Sequence, residues 1–479
     1  MPRTVKSPTT SLTIPTVRVS SGGALNYAMK SAPYETSRGL IRAELAGHYT
    51  SDDPKVMEMC FKTNEVPKRC LKAAKAAVKA NPEFLTATLE AKSEREMYEP
   101  LVRNSLPSIH VDTLTLRPQA ALVMQMANAA AGDYSRVTCV SNSKYPQTNL
   151  PVSVERAPGL VTFDVAPPMN DPGQWAHVAA TWELKTSSKD GMGSCLLNTD
   201  GKLKEICGQI GDACRIRMSC RPHQIFSLAI VLAGKDFWGS LWDRNGVTVS
   251  TRYTIGDVDS AGLDMLARVT IQLHRRLTLV QLGLDPSITF DPLAGAHFSD
   301  PDVPAKVNIN GKMWTLGQRM FQSVALIGRG TSVYLVENDE GVQRVMKSAW
   351  RASDRPSETD QYAEIRQALR DATWPPELGR VESTGDVGFG TRGGYHLRSV
   401  TVITTDKIRA GLASELNKLN GRRNLTLHRM LLENLGRPIW EYSEDLEILL
   451  AMRDCVRGQY RSVFSPQFNH LIDVGCQAS

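Results

Sequence analysis

The sequence predicts an α+β protein in which an α/β domain, residues 31–290, precedes an antiparallel-sheet domain, residues 311–479. Three observations predict it. Between residues 136 and 270, runs such as RVTCVSN, LVTFDVA, HVAATWELK and IFSLAIVLAG read as strands, with helical stretches before and between them. Residues 291–310 gather Pro292, Pro301 and Pro304 with several aspartates, the composition of a linker. After Gly311, short strand-like runs follow one another with one helix inserted, and a long amphipathic helix comes last.

Taken in order, residues 1–30 are rich in Ser, Thr, Pro and Val and bury little, which predicts a disordered tail. The absence of acidic residues there also fits a mitochondrial presequence, which the prolines disfavour. Residues 37–105 read as helical: LKAAKAAVKA is made of strong helix formers. Phe84, Leu85, Leu89, Tyr98 and Leu101 recur at near-helical intervals, and Pro107 helps to end the run. A helix between Lys204 and Met218 separates two strands. WGSLWDRNGVTVSTRYTI reads as a hairpin turning at Asn245-Gly246, where glycine supplies a positive φ. GLDMLARVTIQLHRRLTLVQLGL reads as an amphipathic helix ending near Gly283, with Pro286 soon after.

In the second domain KVNIN, KMWTLG, MFQSVALIGRG, TSVYLVEND and GVQRVMKSAW read as strands, the last two joined by a turn at Asn338–Gly341. A helix around 357–371, strands near 397–404, strand-like residues Thr426 to Leu432 and the long helix SEDLEILLAMRDCVRGQYRSVF follow. The pattern is five antiparallel strands with an inserted helix, then a second helix.

Bulk composition narrows the function classes. A 42% hydrophobic fraction fills ordinary cores, and a net charge of +6 permits anionic partners such as nucleotides without singling out nucleic acid. Nine cysteines with no CxxC pair argue against a zinc ribbon and for free thiols in a reducing compartment. Nine histidines form no HxxxH pair, so no metal site is expected from them. No apolar run approaches the roughly 20 residues that span a bilayer, and the N-terminus lacks the apolar core of a signal peptide. The expectation is an intracellular protein of cytoplasm or nucleus with no membrane partner.

The chemistry-bearing stretch is LIGRGTSVYLVENDEGVQRVMKSAWR. Gly328 and Gly330 sit between two strand-like runs, where a glycine hairpin lets backbone N–H groups approach phosphates without interference from a Cβ. Val345 and Lys347 share one face of the next strand, which would deliver an ammonium to phosphates under the hairpin. Alone, GxG usually marks a turn and a strand lysine is usually solvated; their combination carries the argument. A carboxylate on the next helix must hold the lysine, and ETDQYAEIRQALRDA offers Glu358 and Glu364, of which the mid-helix Glu364 is preferred.

With those residues, the chain resembles the fungal-type protein kinases, from about Glu94 to about Tyr460. The resemblance lies in EREMYEPLVRNSL, WELK, the helix carrying Gln209, LWDRNGVTVS, LGLDPSI, GRGTSVYLV, VMKSAWR and LLENLGRPI, in that order. It implies a kinase N-lobe with the start of a C-lobe, and transfer of the ATP γ-phosphate to a protein Ser/Thr hydroxyl with Mg²⁺. By resemblance Gly328, Arg329, Gly330, Thr331 and Val333 form the phosphate loop, Val345 and Lys347 contact ATP, and Glu364 pairs with Lys347. Leu432, Glu433 and Asn434 look like the segment whose backbone would bond an adenine. Val333 replaces the third glycine of the common loop.

Phosphoryl transfer also needs the Asp of HRD and the metal ligands after it. The sequence contains no His-Arg-Asp and no Asp-Phe-Gly; His428-Arg429 is followed by Met430. LIDVG could echo a metal-binding DxG at Asp473, without the catalytic loop that should precede it. The expectation is therefore a lobe truncated within the C-lobe and inactive, with a nucleotide-binding pseudokinase or a non-enzymatic interaction protein as its remaining roles. In the first domain, Glu183 and Lys185 form E-x-K on a strand, as in PD-(D/E)xK nucleases, and the element order is loosely similar to that fold. Pro158-Gly159 stands where Pro-Asp is wanted, Asp164 and Asp171 being displaced substitutes. A cross-strand ion pair explains E-x-K as well. Trp238 and Trp242 beside Arg244 could stack bases, but packing of a hairpin face explains them better.

Overall fold

The computed structural model describes residues 34–90, 118–132, 136–140, 160–163, 178–192, 203–221, 223–289, 305–369, 379–389, 395–397, 401–412, 423–433 and 444–463. The expected tail at 1–30 and residues 91–105 of the helical stretch lie outside them. The first part comprises α1 (Tyr34–Glu44), β1 (Tyr49–Asp53), α2 (Val56–Phe61), α3 (Lys68–Ala80), α4 (Glu83–Glu90), α5 (Pro118–Ala129), β2 (Val137–Val140), β3 (Leu160–Phe163) and β4 (Val178–Lys185). It continues with α6 (Glu205–Cys220), β5 (Phe226–Ala233), β6 (Asp236–Asp243), β7 (Gly246–Ser250), β8 (Tyr253–Thr254) and α7 (Ala261–Ile271).

Among the described residues these strands form one mixed sheet in the order β1-β7-β6-β5-β4-β3-β2, with β8 beside β6. β4 and β5 run parallel, joined through α6, as do β1 and β7. Both faces are covered, which is why β5 is a continuous apolar run rather than an alternating one. Leu228, Ile230 and Leu232 join a core with residues of α3, α5 and α7; Ala229, Val231 and Ala233 join another with α1 and α6. In α3, Cys70, Leu71, Ala74 and Val78 make the buried stripe that helical spacing requires. Ser260 caps α7 by accepting from the Leu263 amide at 3.2 Å.

Three sequence readings need correction here. Residues 37–105 are not uniformly helical: β1 intervenes, recruited by parallel pairing with β7. The helix expected to reach Gly283 ends at Arg276, after a widened turn over Gln272–Arg276. The hairpin turn is one residue earlier than Asn245-Gly246, because Asp243 pairs with Gly246 and leaves Arg244 and Asn245 as the turn. Gly246 has φ +133°, and a Cβ there would lie 1.9 Å from the His48 carbonyl oxygen.

The second sheet draws on β9 (Ile288–Thr289), β10 (Lys306–Ile309), β11 (Lys312–Gln322), β12 (Ser332–Asn338), β13 (Gln343–Ala352), β14 (Val381–Phe389), β15 (Tyr395–Leu397), β16 (Thr401–Val402) and β17 (Leu425–Leu432). Its helices are α8 (Glu358–Leu369), after β13, α9 (Thr405–Ile408), after β16, and α10 (Asp445–Val463), after β17. The order among described residues is β15-β14-β17-β13-β12-β11-β10-β9, with β16 beside β14, all antiparallel. β17 thus slots between β13 and β14, the two strands that α8 connects. Asn310 and Gly311, both at positive φ, make the tight turn between β10 and β11, and the Asn338–Gly341 turn occurs as expected. β14 is a strand the sequence reading missed. Within the expected linker 291–310, Lys306 and Val307 belong to the sheet and pair with Thr289 and Ile288, and residues 291–304 lie outside the described residues. β11 stops at Gln322, so the expected strand MFQSVALIGRG leaves the sheet before its glycines.

The two parts pack closely. One face of the second sheet carries Trp314, Tyr334, Val336, Met346, Trp350 and Leu431, in a core that also includes Ile225 of the first part. Val324 and Leu326, from the segment after β11, are buried with Ile41, Ile210 and Trp242. Two buried ion pairs span the boundary: Arg409 to Asp243, and Arg429 to Asp285 at 2.7 Å. Asp243 lies in LWDRNGVTVS and Asp285 in LGLDPSI, so both motifs act at this boundary. Among the described residues no helix is long and apolar enough to cross a membrane.

Candidate functional site

Lys347 stands in the middle of β13, in register with Val333 of β12 and Met430 of β17. Antiparallel partners share a face, so Val333, Lys347 and Met430 lie together, while the neighbouring Ser348 points to the opposite side with Ser332 and Arg429. α8 starts at Glu358 because Ser357 and Asp360 cap it reciprocally: the Ser357 amide donates to Asp360 Oδ2 at 2.7 Å and the Asp360 amide to Ser357 Oγ at 3.1 Å. This places Glu358 in the first turn, over Lys347.

Lys347 Nζ donates to Glu358 Oε1 at 2.9 Å and Oε2 at 3.0 Å. Arg329, from the glycine segment, donates to the same Oε1 at 2.6 Å. Burial alone would push the Glu358 carboxyl up; the Lys347 ammonium and Arg329 guanidinium overrule it and hold the group below its ordinary value. The expected partner Glu364 is exposed, six positions along α8 and so roughly 9 Å away along the helix axis. The carboxylate is thus Glu358, the alternative that the sequence offered.

α8 is fixed by a polar relay on the same face. Thr359 Oγ1 lies 3.0 Å from Thr384 Oγ1, which lies 3.1 Å from His428 Nε2. His428 Nδ1 contacts Asp386 Oδ1 at 2.9 Å, and Arg351 binds both Asp386 oxygens at 2.9 and 2.5 Å. Burial would raise the Asp386 carboxyl, but hydrogen bonds from His428 and Arg351 hold it low. Sequence reading missed this relay because its members come from β13, α8, β14 and β17.

The glycine segment is held mainly by the first part of the chain. The Gly328 amide donates to the Arg244 carbonyl at 2.8 Å, and the Ile327 amide to Glu44 Oε1 at 2.5 Å. Arg244 donates to the carbonyls of Ala325 and Leu326, and the Trp350 amide to the Arg329 carbonyl at 2.7 Å. Burial pushes the Glu44 carboxyl up to about 7 against the amides of Ile327 and Leu326 and the nearby Arg215 and Arg244. Gly330, at φ +48°, would place a Cβ 2.4 Å from Arg244 Nε. The expectation that Gly328 offers its amide to phosphate is therefore corrected: in this structure that amide is committed to Arg244.

The other site residues fall as follows. Thr331 precedes β12, its carbonyl accepting from Ser323 at 2.8 Å, and Val345 is buried in β13. Leu432 pairs with both Val345 and Val381, and the Glu433 amide donates to the Arg380 carbonyl at 2.8 Å. Asn434 and Asp473 lie outside the described residues. Lys185 pairs with Glu183 at 2.9 Å, the ion pair that E-x-K allows, while Asp164 and Asp171 lie outside the described residues. Trp238 and Trp242 are buried in the core, where stacking on a base is impossible. Among the described residues no group of three His, Cys, Asp or Glu side chains is placed to hold a metal ion.

A family model described as fungal protein kinase matches residues 164–467. The chain belongs to this family. The match begins before β4 and runs through α10, so it takes in most of the first sheet as well as the second. No curated protein and no solved structure gives a significant match to the chain.

Proposed function

We infer that the second sheet is a kinase-type nucleotide lobe and that ATP phosphates bind against Lys347. The observation that carries this is the bidentate contact of Lys347 with Glu358, a carboxylate on the helix inserted after the lysine strand. Such a pair positions an ammonium for the α- and β-phosphates of ATP. Val345, Val333 and Met430 give the same face an apolar wall for an adenine. Leu432 and Glu433 lead out of β17 where the family resemblance places the adenine-binding backbone.

The family's activity is phosphoryl transfer from ATP to a protein hydroxyl. These 479 residues carry no HRD or DFG set, so the reading for this chain is nucleotide binding without appreciable transfer, Mg²⁺ arriving with the nucleotide. Residues 31–290 and 311–479 then act as a binding module and a nucleotide lobe. A second reading, an interaction protein that binds no nucleotide, is favoured by one observation: Glu44 and Arg244 already engage the amides of Ile327 and Gly328. Titration of Mg·ATP by calorimetry separates the two. Binding in the micromolar range that Lys347→Ala abolishes supports the lobe; absence of heat with the intact chain sinks it.

A further inference from the structure

α8 carries Glu358, yet a buried apolar stripe does not set where that helix lies. None of residues 358–367 is buried, and the apolar core of the second sheet, with Met346, Trp350 and Leu431, is on the opposite face. A helix ordinarily takes its position from such a stripe. Hydrogen bonds tie α8 to the sheet instead: Glu358 to Lys347, Thr359 to Thr384, and Arg366 Nη2 to the Val381 carbonyl at 2.6 Å.

Two of these ties are neighbours in sequence and in space. Lys347, Met430 and Thr384 are in register across β13, β17 and β14, so they form one row on one face. Glu358 takes the β13 end of that row and Thr359 the β14 end, with the buried Met430 between them. The first turn of α8 therefore straddles β17, and any displacement of Thr359 carries Glu358 with it.

The next row, Ala349, His428 and Asp386, anchors the β14 end. Arg351 binds both oxygens of Asp386. Burial would raise that carboxyl, but His428 and Arg351 hold it low, so it is ionised and can only accept. His428 Nδ1, 2.9 Å from Asp386 Oδ1, then carries the proton, and Nε2 is left facing Thr384 Oγ1 at 3.1 Å. His428 is 5% exposed and Thr384 7%, so water does not stand in for either partner. Hydrogen bonds demand distance and angle where apolar packing tolerates a slide, and the relay fixes the helix start in direction as well as depth.

We propose that His428 is a positioning residue for the Lys347–Glu358 pair: through Thr384 and Thr359 it sets the start of α8, and with it the carboxylate that holds the ammonium. The use of that pair for nucleotide rests on the nucleotide-lobe reading; its geometry does not.

Amine labelling of the full chain, followed at Lys347 by mass spectrometry, reads the pair without nucleotide, since an amine engaged by a carboxylate is less available to the reagent. Thr384→Val and His428→Phe should each raise the Lys347 rate several-fold, and Thr384→Ser should restore the parent rate. Lys185, paired with Glu183 in the first sheet, should keep its rate throughout. In a Glu358→Gln background, Thr384→Val should add nothing further. The same two relay variants should weaken Mg·ATP binding several-fold; the Lys347 pattern in a chain that binds no Mg·ATP keeps the relay and removes the nucleotide reading alone. An unchanged Lys347 rate in Thr384→Val would overturn the proposal, whether or not the histidine variant folds. So would Lys347 and Lys185 rising together, which marks general loosening, or an increase of the same size in the Glu358→Gln background.

Discussion

Arg409 and Asp243 lie 166 positions apart and meet through two hydrogen bonds of 2.7 Å, from Nε and Nη2 to the two carboxylate oxygens. Both side chains are buried, 2% and 0% exposed. The contact fastens the short α9 turn beside the second sheet to the end of β6 in the first. Because β6 continues into Arg244, the same hairpin that receives Arg409 also holds the glycine segment. The position of that segment is thus set from both parts of the chain.

Removing one partner leaves a charge buried without compensation. Asp243→Ala should cost about 3–5 kcal/mol of unfolding free energy, read from urea denaturation. The paired change Asp243→Leu with Arg409→Met should cost clearly less than Asp243→Ala alone. Equal losses would show that the pair contributes nothing beyond packing.

Glu358, not Glu364, holds Lys347. Lys347→Ala should weaken Mg·ATP binding by at least about tenfold, roughly 1.4 kcal/mol, and Glu358→Gln by several-fold. Glu364→Gln should match the parent protein within error. Fluorescent-nucleotide displacement on the purified variants measures all three.

Glu44 makes stability fall as pH rises. Its folded value, about 7, lies above its ordinary value of 4.5. Between those limits the folded state holds a proton that the unfolded state has released. The stabilising contribution is complete below pH 4.5 and lost as pH climbs through about 7, a change of order 3 kcal/mol. Glu44→Gln should remove that slope, so the variant gains relative to the parent between pH 5 and pH 8 in chemical denaturation. A parallel pair of pH profiles would contradict the assignment.

Gly330→Ala should destabilise by about 1–2 kcal/mol, from the left-handed backbone and from the clash with Arg244. In an Arg244→Ala background the clash is absent and only the backbone cost remains. A double-mutant cycle on thermal unfolding reads the difference as a coupling energy. Strict additivity would mean that residue 330 does not touch Arg244.

The fold was legible where local signals agreed with tertiary pairing. The VMKSAWR strand, the helix after it, the Asn338–Gly341 turn and LTLHRMLL all lie where alternation and turn residues placed them. β14 was not legible: VESTGDVGF carries Glu382, Asp386, Gly385 and Gly388, and becomes a strand through pairing with β17. The lysine partner was misplaced because the middle of the helix was favoured over its start, although Ser357 and Asp360 form a readable cap that sets Glu358 in the first turn. Arg244, Glu44 and the amides of Ile327 and Gly328 could not be found as a set. Their meeting depends on a loop of the second sheet entering the core of the first, and no spacing in the sequence records that.

The face of the second sheet that carries Trp314, Tyr334, Met346, Trp350 and Leu431 is not a free surface, since it is roofed from the amino-terminal side. Severing the chain within 290–304 would therefore produce two pieces, each with a wet greasy wall, rather than two autonomous modules. Recombinant work on the second sheet should keep residues from α1 onward, and a lesion in the amino-terminal half should weaken the proposed nucleotide binding without touching a single residue near Lys347.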